Sequence, residues 1–496
     1  MPSLKSLSAI QILTIFVFWG QIQNYMMRTN LSILIVAMVK ERTSKSSGSN
    51  NVTCLANQNI LENISISSAQ EEETNGSVKF DWGPFTQGQI LAAFSYGYIT
   101  TQVLGGRLAE RFGSKKVYGG ALFLVGLVTF LLPVAAKISS SAFIALRIIQ
   151  GVLEGVSFPS LHALTARWIP PSNRNTFIAG SYFGSVFGVM ITYPMCGALA
   201  DAYGWESAYY VIGGITTTWF IFWCIFVYDS PDSHPRITKE EKDFIQSELK
   251  EIVNDKEALP VPWKSILTSV PFIGLIITDF ANGWGIIAIS KYLPTYMKNV
   301  QQVDLYKNGI LSALPFPLRY FGGVILCRIA DYILRKNLLS TTNVRRLFNS
   351  IALVPPAIAL VMIGFATGGL ECNTTYVVVL FCLGMFFNGA FSAGHFSSHL
   401  DLAPNFAGTL MGISNTFAGG IAGFVVPTII GAIREIDDYS TFSKWKIIFG
   451  TAAGVYFIGN LFYVLMITGD VQEWNFGPNG RKRSLSTNNE NEDNES

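Results

Sequence analysis

The chain has 496 residues, of which 50% are apolar and only 14% are charged, and its formal net charge is +2. Ordinary soluble domains carry about 25% charged residues, so the composition excludes a string of soluble domains and indicates a protein embedded in lipid. The charge gives no reason to expect a nucleic acid as a partner, and the position of the charges matters more than their sum.

Apolar segments long enough to cross a bilayer recur along the whole chain. A spanning helix needs about 20 mostly apolar residues. Twelve such segments cover 9–38, 86–105, 118–136, 142–164, 176–199, 207–228, 266–290, 308–326, 347–367, 375–396, 407–431 and 446–468. We therefore expect an all-α polytopic membrane protein made of two six-helix bundles.

A charged stretch at 229–265 separates the two sets of six segments. This division predicts an N-terminal bundle at 1–228, a cytoplasmic linker at 229–265, a C-terminal bundle at 266–468 and a disordered cytoplasmic tail at 469–496. The spacing that starts at Thr238 fits a capping box. It favours a short amphipathic helix in the linker as much as it favours a solvated loop.

Basic residues indicate the orientation of the chain. If the N-terminus is cytoplasmic, short inside loops carry eleven Lys and Arg residues and short outside loops carry six. Short cytoplasmic loops are enriched in these residues, so we expect both termini in the cytoplasm. The membrane itself stays open between the plasma membrane and a lysosomal or vesicular membrane.

Four glycosylation sequons fall in loops that are external in this topology. They begin at Asn51, Asn63 and Asn75 in an external loop at 40–85, and at Asn373 after segment nine. We expect sugars on some of these residues. The same two loops contain Cys54 and Cys372, which gives the hypothesis of a disulfide between them in an oxidising exterior.

The loop after segment two, Gly105 to Lys116, alternates acidic and basic residues in a tight turn. Its charges Arg107, Glu110 and Arg111 suit a gating loop that pairs in one conformation and releases in another; the alternative is an ordinary basic cytoplasmic loop. The sequence resembles the signature loop of the major facilitator superfamily, with Glu110 where Asp is usual. A weaker echo lies in the second half at 328–336.

Segment four, from Arg147 to Pro159, resembles the fourth helix of the anion:cation symporter family, which includes sialin, the vesicular glutamate transporters and the type I sodium–phosphate cotransporters. Further matches run along nearly the whole chain. They include Arg28-Thr29-Asn30-Leu31, Phe80-Asp81-Trp82, Gly97-Tyr98-Ile99, Trp168-Ile169-Pro170-Pro171, His399-Leu400-Asp401-Leu402-Ala403-Pro404, Met411-Gly412-Ile413-Ser414-Asn415 and Gln472-Glu473-Trp474-Asn475. The resemblance implies the major facilitator fold and alternating access around a central site.

Three positions depart from the relatives that carry glutamate. Those relatives have His where this chain has Leu91, Tyr where it has Phe158 and Arg where it has Asn282. The resemblance therefore argues against a vesicular glutamate transporter and fits the sialin-like or phosphate-cotransporter-like branch.

Five ionisable residues lie inside predicted spans, at Arg28, Arg147, Glu154, Asp279 and Arg319. A charged side chain at the centre of a spanning helix costs about 2.5–3.5 kcal/mol on insertion scales, so each is a functional candidate. The resemblance implies substrate binding by Arg28 and proton coupling through Glu154. We also assign Arg147 and Asp279 to ion coupling. The alternative is that these charges only form structural pairs.

The second-half cation of the glutamate carriers is missing at Asn282, and we expect Arg319 to supply it instead. Arg28 and Arg319 would then clamp an anion between the halves, with Asp279 neutralising Arg319 when the site is empty. Tyr98 and Asn415 complete the expected substrate contacts. Lys291 and Lys298 are expected to anchor a helix end.

His395 and His399, four residues apart and near Asp401, have a spacing compatible with a metal site. Only His399 and Asp401 belong to the family pattern, so we expect neither a metal nor a cofactor. No arrangement of nucleophile and base suggests an enzyme. The expected partners are a small anion, a co-transported H⁺ or Na⁺ and the lipid bilayer. The expected function is anion symport, and the alternative is a uniporter or channel on the same fold.

Overall fold

The structure is a computed structural model that describes residues 8–40, 78–169, 171–253, 261–366 and 369–476. Within these ranges the regular structure is helical, and the only β-type pairing is an isolated bridge between Val39 and Phe80. Asn51, Asn63, Asn75 and Cys54 lie outside the described residues.

The described residues of the N-terminal half contain seven helices. They are α1 (Ala9–Met38), α2 (Pro84–Phe112), α3 (Ser114–Ile138), α4 (Ser140–Glu154), α5 (Ser157–Trp168), α6 (Pro171–Tyr203) and α7 (Trp205–Phe226). Helix α1 starts with a capping box, in which Ser8 accepts a hydrogen bond from the Gln11 backbone and the Gln11 side chain returns one. Such reciprocal capping satisfies amide groups that would otherwise lack partners at a helix start.

The linker and the C-terminal half contain the remaining helices. They are α8 (Lys239–Val253), α9 (Trp263–Leu267), α10 (Val270–Asn299), α11 (Leu305–Ala313), α12 (Pro315–Arg335), α13 (Thr341–Gly364), α14 (Thr374–Asn388), α15 (His395–Leu402), α16 (Ala407–Asn415), α17 (Ala422–Glu435) and α18 (Thr441–Met466). A π-helical turn, Thr416–Ile421, joins α16 to α17.

Ten helical stretches of the described residues are long and apolar enough to cross a membrane. Four of these spans contain a break between two helices: α4–α5, α11–α12, α14–α15 and α16–α17. Helices α1 and α2, with 30 and 29 residues, have sufficient length but are not among the ten. The expected membrane fold is confirmed, and ten of the twelve predicted spans meet both criteria.

Large apolar side chains cover the outer surface of the bundle. On α3 the exposed residues Leu124, Leu127, Leu131 and Val134 follow one another at helical spacing. A soluble protein rarely exposes so continuous an apolar face. Because backbone polar groups in lipid must be satisfied within the segment, helices are the natural way to present such a surface to a bilayer.

The linker forms a helix, as one of the two sequence interpretations predicted. Helix α8 begins at Lys239, and the Thr238 hydroxyl accepts a hydrogen bond from the backbone of Glu241 at 3.3 Å. The Glu241 carboxylate accepts hydrogen bonds from the backbone of Ala9 and Ile10, both at 3.1 Å. The linker therefore caps the start of α1, where a negative charge also favours the helix dipole.

The two halves touch on the face of the bundle where α2 begins and α17 ends. The Glu435 carboxylate accepts a hydrogen bond from the Phe85 backbone at 2.9 Å, and Gln89 donates to Thr428 at 3.3 Å. A Cβ atom on Gly88 would lie 2.5 Å from the Pro427 carbonyl oxygen. The helices therefore approach backbone to backbone, which small residues permit in membrane proteins.

The predicted external loop that contains Cys372 and Asn373 is only partly described. Cys372 is disulfide-bonded, while Cys196, Cys224, Cys327 and Cys382 are free thiols. The pairing of Cys372 with Cys54 stays a prediction, because Cys54 lies outside the described residues. Asn373 caps α14 by accepting a hydrogen bond from the backbone of Tyr376 at 3.0 Å.

Candidate functional site

The first half of the site is built where α2 crosses α4. A Cβ atom on Gly151 would lie 2.0 Å from the Phe94 carbonyl oxygen, and one on Gly155 would lie 2.6 Å from the Tyr98 carbonyl oxygen. Larger residues at these two glycines would push the helices apart. The close crossing brings the α2 aromatics Phe94 and Tyr98 next to Glu154, the last residue of α4.

Arg28 of α1 lies among aromatic rings. Its Cζ atom is 4.8 Å from the ring centre of Tyr98, 5.4 Å from that of Phe94 and 5.8 Å from that of Tyr25. A guanidinium is attracted to the face of an aromatic ring and keeps its donors free for an anion. Helix α1 also buries Asn24 one turn before Arg28, and in the described part of the chain neither polar side-chain atom of Asn24 has a hydrogen-bond partner.

Arg28 faces the second half of the molecule. Its Nη2 atom lies 4.0 Å from the position that a Cβ atom would take on Gly419, in the π-helical turn. Asn415 Oδ1 lies 3.2 Å from the same position, and Asn415 donates to Gln102 of α2 at 3.3 Å. The structure thus brings together three of the expected substrate contacts, Arg28, Tyr98 and Asn415.

Arg147 and Glu154 are both buried in α4, but they differ in how they are satisfied. Arg147 Nη1 donates to the Met27 carbonyl at 3.2 Å and to Gln150 Oε1 at 2.9 Å. Neither carboxylate oxygen of Glu154 has a hydrogen-bond partner among the described residues. Glu154 lies within electrostatic range of Arg28 and Arg147. Arg147 therefore has structural contacts, whereas Glu154 retains the capacity to bind a further proton or donor.

Arg319 begins a chain of hydrogen-bonded polar side chains in the second half. Its Nε atom donates to Asn388 Oδ1 at 2.7 Å, and Asn388 Nδ2 donates to Asn282 Oδ1 at 2.9 Å. The guanidinium lies over the ring of Phe391 at 4.4 Å. Asn388 thus connects Arg319 to Asn282, the position that the sequence analysis singled out for its missing arginine.

The tyrosine Tyr25 connects the two arginines. Its ring contacts Arg28, and it is also within electrostatic range of Arg319. A phenol offers an oxygen acceptor and a hydroxyl donor, so Tyr25 is suited to lie beside an anion held between the two guanidinium groups. Tyr25 is not among the residues expected from the sequence, although its position one turn before Arg28 was a usable signal.

The expected pairing of Asp279 with Arg319 is wrong. The ion-pair partners of Asp279 are His395, with 3.5 Å between Oδ1 and Nε2, and His399, with 3.2 Å between Oδ2 and Nε2. Both histidines lie on α15, the helix that follows the break after α14. Their side chains contact Asp279 of α10. Arg319 keeps Asn388 as its partner instead.

The metal site considered for His395, His399 and Asp401 does not form in the part of the chain that the structure describes, where no group of three His, Cys, Asp or Glu side chains could hold a metal ion. Asp401 binds Arg345 of α13 through two contacts, 2.5 Å from Nε to Oδ2 and 3.2 Å from Nη2 to Oδ1. This bidentate pair holds α15 against α13 and directs Asp401 away from the histidines.

Lys291 does not anchor the end of its helix, contrary to the expectation from the sequence. It lies within α10, which continues to Asn299. Its Nζ atom donates to the carbonyl oxygens of Leu91 in α2 at 2.8 Å and Gly423 in α17 at 2.9 Å. Lys291 therefore joins three helices from both halves. Lys298 does lie in the last turn of α10.

The gating loop is described in part. Arg111 is exposed at the end of α2. The structure does not describe the side chains of Arg107 and Glu110. Asp229, after α7, accepts a hydrogen bond from the backbone of Lys115 at 2.7 Å and so caps α3. Gly113 between the helices has φ of 91°, a value that favours glycine. The gating role of the loop from Gly105 to Lys116 stays a prediction.

Membrane-length helices in two halves, with buried basic and acidic side chains where the halves meet, define a polytopic membrane transporter. The model of the Major Facilitator Superfamily matches residues 17–427. The chain belongs to this superfamily, and it is a transporter rather than an enzyme.

Relatives and a solved structure agree with this assignment. The chain is 33% identical to sialin of Homo sapiens over 467 residues, which covers 94% of this chain and 91% of sialin. It is 35% identical to a putative inorganic phosphate cotransporter of Drosophila melanogaster, covering 93% of this chain and 85% of that protein. The fold matches a D-xylose–proton symporter with a TM-score of 0.64 at 15% identity, covering 94% and 100% of the two chains. The resemblance to the sialin and phosphate cotransporter relatives is confirmed.

Proposed function

We propose that this protein is a secondary active transporter that moves a small organic or inorganic anion together with H⁺ or Na⁺ by alternating access. The observation that carries the proposal is the concentration of basic side chains between the halves. Lys291 lies within electrostatic range of Arg28 and Arg147, and Tyr25 links Arg28 to Arg319. Such a site attracts anions and gives them fixed donors.

The anion in this proposal is held by Arg28 from the first half and Arg319 from the second. Both guanidinium groups lie against aromatic rings, over Tyr98 and Phe391 respectively. An arginine in this setting can bind a carboxylate or a phosphate through two parallel hydrogen bonds. Sialic acid and inorganic phosphate, suggested by the names of the two relatives, both present such oxygens.

Coupling to the cation is assigned to Glu154. Its two oxygens are buried without hydrogen-bond partners, and it lies within electrostatic range of Arg28. A proton on Glu154 would remove its attraction for Arg28 and release the guanidinium to the anion. Proton binding and anion binding would then favour one another, as symport requires.

Alternating access requires contacts between the halves that break in one state. The bonds from Lys291 to Leu91 and Gly423, and from Glu435 to Phe85, suit such a gate on the face where α2 begins. We assign this face to the outside, with both termini in the cytoplasm. The structure would then be closed to the outside.

Uptake by proteoliposomes tests the function. Labelled sialic acid, phosphate and acidic amino acids are offered separately under an imposed H⁺ gradient, an imposed Na⁺ gradient and no gradient. We expect one anion class to accumulate with one gradient and to equilibrate without it. Uptake that ignores both gradients would indicate a uniporter or channel instead, and no saturable uptake of any anion would refute anion transport.

A further inference from the structure

We propose that Asp279, His395 and His399 form a second proton-binding site, in the C-terminal half, that gains and loses a proton during each transport cycle. This inference rests on the proposed symport function and extends it, because the resemblance assigns proton coupling only to the fourth span. All three side chains are buried, with exposed fractions of 7%, 1% and 3%. A buried cluster of this kind is costly and marks ion pathways in membrane transporters.

The hydrogen bonds of His399 define its protonation. Its Nδ1 atom lies 3.0 Å from the Phe396 carbonyl oxygen, which can only accept. Its Nε2 atom lies 3.2 Å from the Asp279 carboxylate and 2.7 Å from Ser414 Oγ, whose hydroxyl has the Leu410 carbonyl at 3.0 Å as an acceptor of its own proton. Both ring nitrogens therefore face acceptors, which is the pattern of a doubly protonated imidazolium.

Asp279 supplies the charge that balances this imidazolium. Its Oδ2 atom is 3.2 Å from His399 Nε2, and among the described residues it has no hydrogen bond of good geometry. This oxygen is buried and ready to accept a proton. Transfer of the proton from His399 to Asp279 would abolish the ion pair without changing the net charge, whereas loss of the proton from the cluster would leave one negative charge. The net charge of the cluster therefore depends on one exchangeable proton.

His395 occupies the other side of the carboxylate. Its Nδ1 atom lies 2.7 Å from Asn349 Oδ1, and Asn349 donates through Nδ2 to Asn460 at 3.0 Å, which orients its oxygen toward the histidine. Nδ1 therefore carries a proton, and Nε2, 3.5 Å from Asp279 Oδ1, is the nitrogen that can gain one. The carboxylate thus lies between two positions where a proton can bind.

The surrounding elements place few other charged or titratable groups against the cluster. Ser414 of α16 is its hydrogen-bonding neighbour. The charged and titratable groups that face it are Arg319 of α12, Tyr463 of α18 and the Arg345–Asp401 pair of α13 and α15. Arg345 and Asp401 neutralise one another, so Arg319 is the cation that a change of charge in the cluster would affect most.

Helix α10 connects the cluster to the anion site. Asp279 and Asn282 are three residues apart, about one turn of helix, and Asn282 is bonded through Asn388 to Arg319. A change in the ion pair at Asp279 therefore acts on the helix that positions the partner of Arg319. This arrangement lets a proton in the second half alter how tightly the second-half arginine holds its anion.

Thermal unfolding of the purified full-length protein in detergent, between pH 5 and pH 8, tests proton binding without any substrate. Imidazole titrates near pH 6.5, so a site that changes its protons gives a pH-dependent Tm. We expect Asp279→Asn and His399→Gln each to reduce the change in Tm across this range by about half. Asp438→Asn, which removes an exposed carboxylate after α17 that does not face the cluster, should keep the wild-type profile.

Proteoliposomes made from the same variants test the coupling role. Proton-driven accumulation of labelled sialic acid or phosphate should weaken in both variants, while anion exchange continues. Wild-type pH profiles of Tm in both variants would overturn the proton site, and an altered profile with wild-type proton-driven accumulation would overturn its role in the cycle. If wild-type protein accumulates no anion, the symport proposal fails, and the Tm profiles still decide whether the site binds a proton. If Asp279→Asn does not fold, His399→Gln decides both points.

Discussion

The two halves of the molecule build the same backbone crossing and fill it with different chemistry. Helices α4 and α14 each have 15 residues, end at Glu154 and Asn388, and are followed by Gly155 and Gly389. A Cβ atom on Gly155 would lie 2.6 Å from the Tyr98 carbonyl oxygen, and one on Gly389 would lie 2.3 Å from that of Arg319. Glu154 therefore corresponds to Asn388, and Tyr98 corresponds to Arg319.

The two corresponding positions, Glu154 and Asn388, differ in charge and in hydrogen bonding. The first half has a carboxyl without hydrogen-bond partners at the break, whereas the second half has an amide bonded to Arg319, Asn282 and the Ala352 carbonyl. An amide cannot neutralise a guanidinium as a carboxylate does. The second half thereby orients Arg319 without cancelling its charge, and its buried titratable cluster lies apart from this position, with Asp279 on α10 and His395 and His399 on α15.

The largest expected effect is the loss of the second-half cation. Arg319→Ala should lower kcat/KM for the anion about 100-fold, because hydrogen bonds to charged groups contribute about 1.5–3 kcal/mol each. Arg319→Lys should raise the apparent KM while expression is unchanged, since lysine cannot form the paired hydrogen bonds. Uptake by proteoliposomes measures both variants.

Lys307→Ala is the control, because Lys307 is an exposed basic residue of the same membrane span and lies outside the loop that echoes the gating motif. It should transport as wild type does. Normal transport by Arg319→Ala would show that the residue only packs α12 against α14, and the two halves would then not share the anion.

The second prediction concerns the carboxyl of the first half. Glu154→Gln keeps the size of the side chain and removes its exchangeable proton, so accumulation driven by the cation gradient should disappear. Exchange of labelled anion against unlabelled anion needs no net proton movement and should continue. Both are measured in the same vesicles. Accumulation against a gradient by Glu154→Gln would exclude Glu154 as the coupling group.

The third prediction concerns a variant that gives the second half a carboxylate at the position that corresponds to Glu154. Asn388→Asp places a carboxylate at the position whose oxygen is 2.7 Å from Arg319 Nε. The new charge should compete with the anion and raise its apparent KM about tenfold, equal to about 1.4 kcal/mol. Asn343→Asp, an exposed change of the same kind at the start of α13, should leave KM unaltered. An unchanged KM in Asn388→Asp would mean that Arg319 does not contact the anion.

The spans could be predicted from the sequence because membrane insertion depends on local composition. The apolar run at 266–290 became α10, and the run at 347–367 became α13, with ends that differ by three to nine residues. Arg28 and Glu154 were found because ionisable residues are rare in apolar segments. Such signals need no knowledge of how the helices pack.

The partners of the buried charges could not be predicted, because they come from helices distant in the chain. Arg147 binds the Met27 carbonyl, and Lys291 binds carbonyls of Leu91 and Gly423. Backbone carbonyls give no sequence signal. The pairing of Asp279 with the α15 histidines depends on the break after α14, and the pattern that suggested a metal site did not reveal it.

The smallest expected effect on transport concerns the outer loops, which test whether the halves have parallel orientations. If they do, Asn373 faces the same side as the three sequons of the first half and carries a sugar, visible as a glycosidase-sensitive shift on a gel. Replacing Asn373 also threatens the cap of α14, since its Oδ1 accepts a hydrogen bond from the backbone of Tyr376.

Two variants separate these effects. Thr375→Ala destroys the sequon and keeps the cap. Asn373→Asp removes the side-chain amide to which a sugar would be attached, and an aspartate caps a helix about as well as an asparagine does. In a background that lacks the other three sequons, both variants should lose the shift and keep wild-type uptake. A shift that persists in both variants would place the remaining sugar elsewhere. The C-terminal tail contains a further sequon, Asn494-Glu495-Ser496, and its modification would put the C-terminus outside and contradict the orientation of both halves.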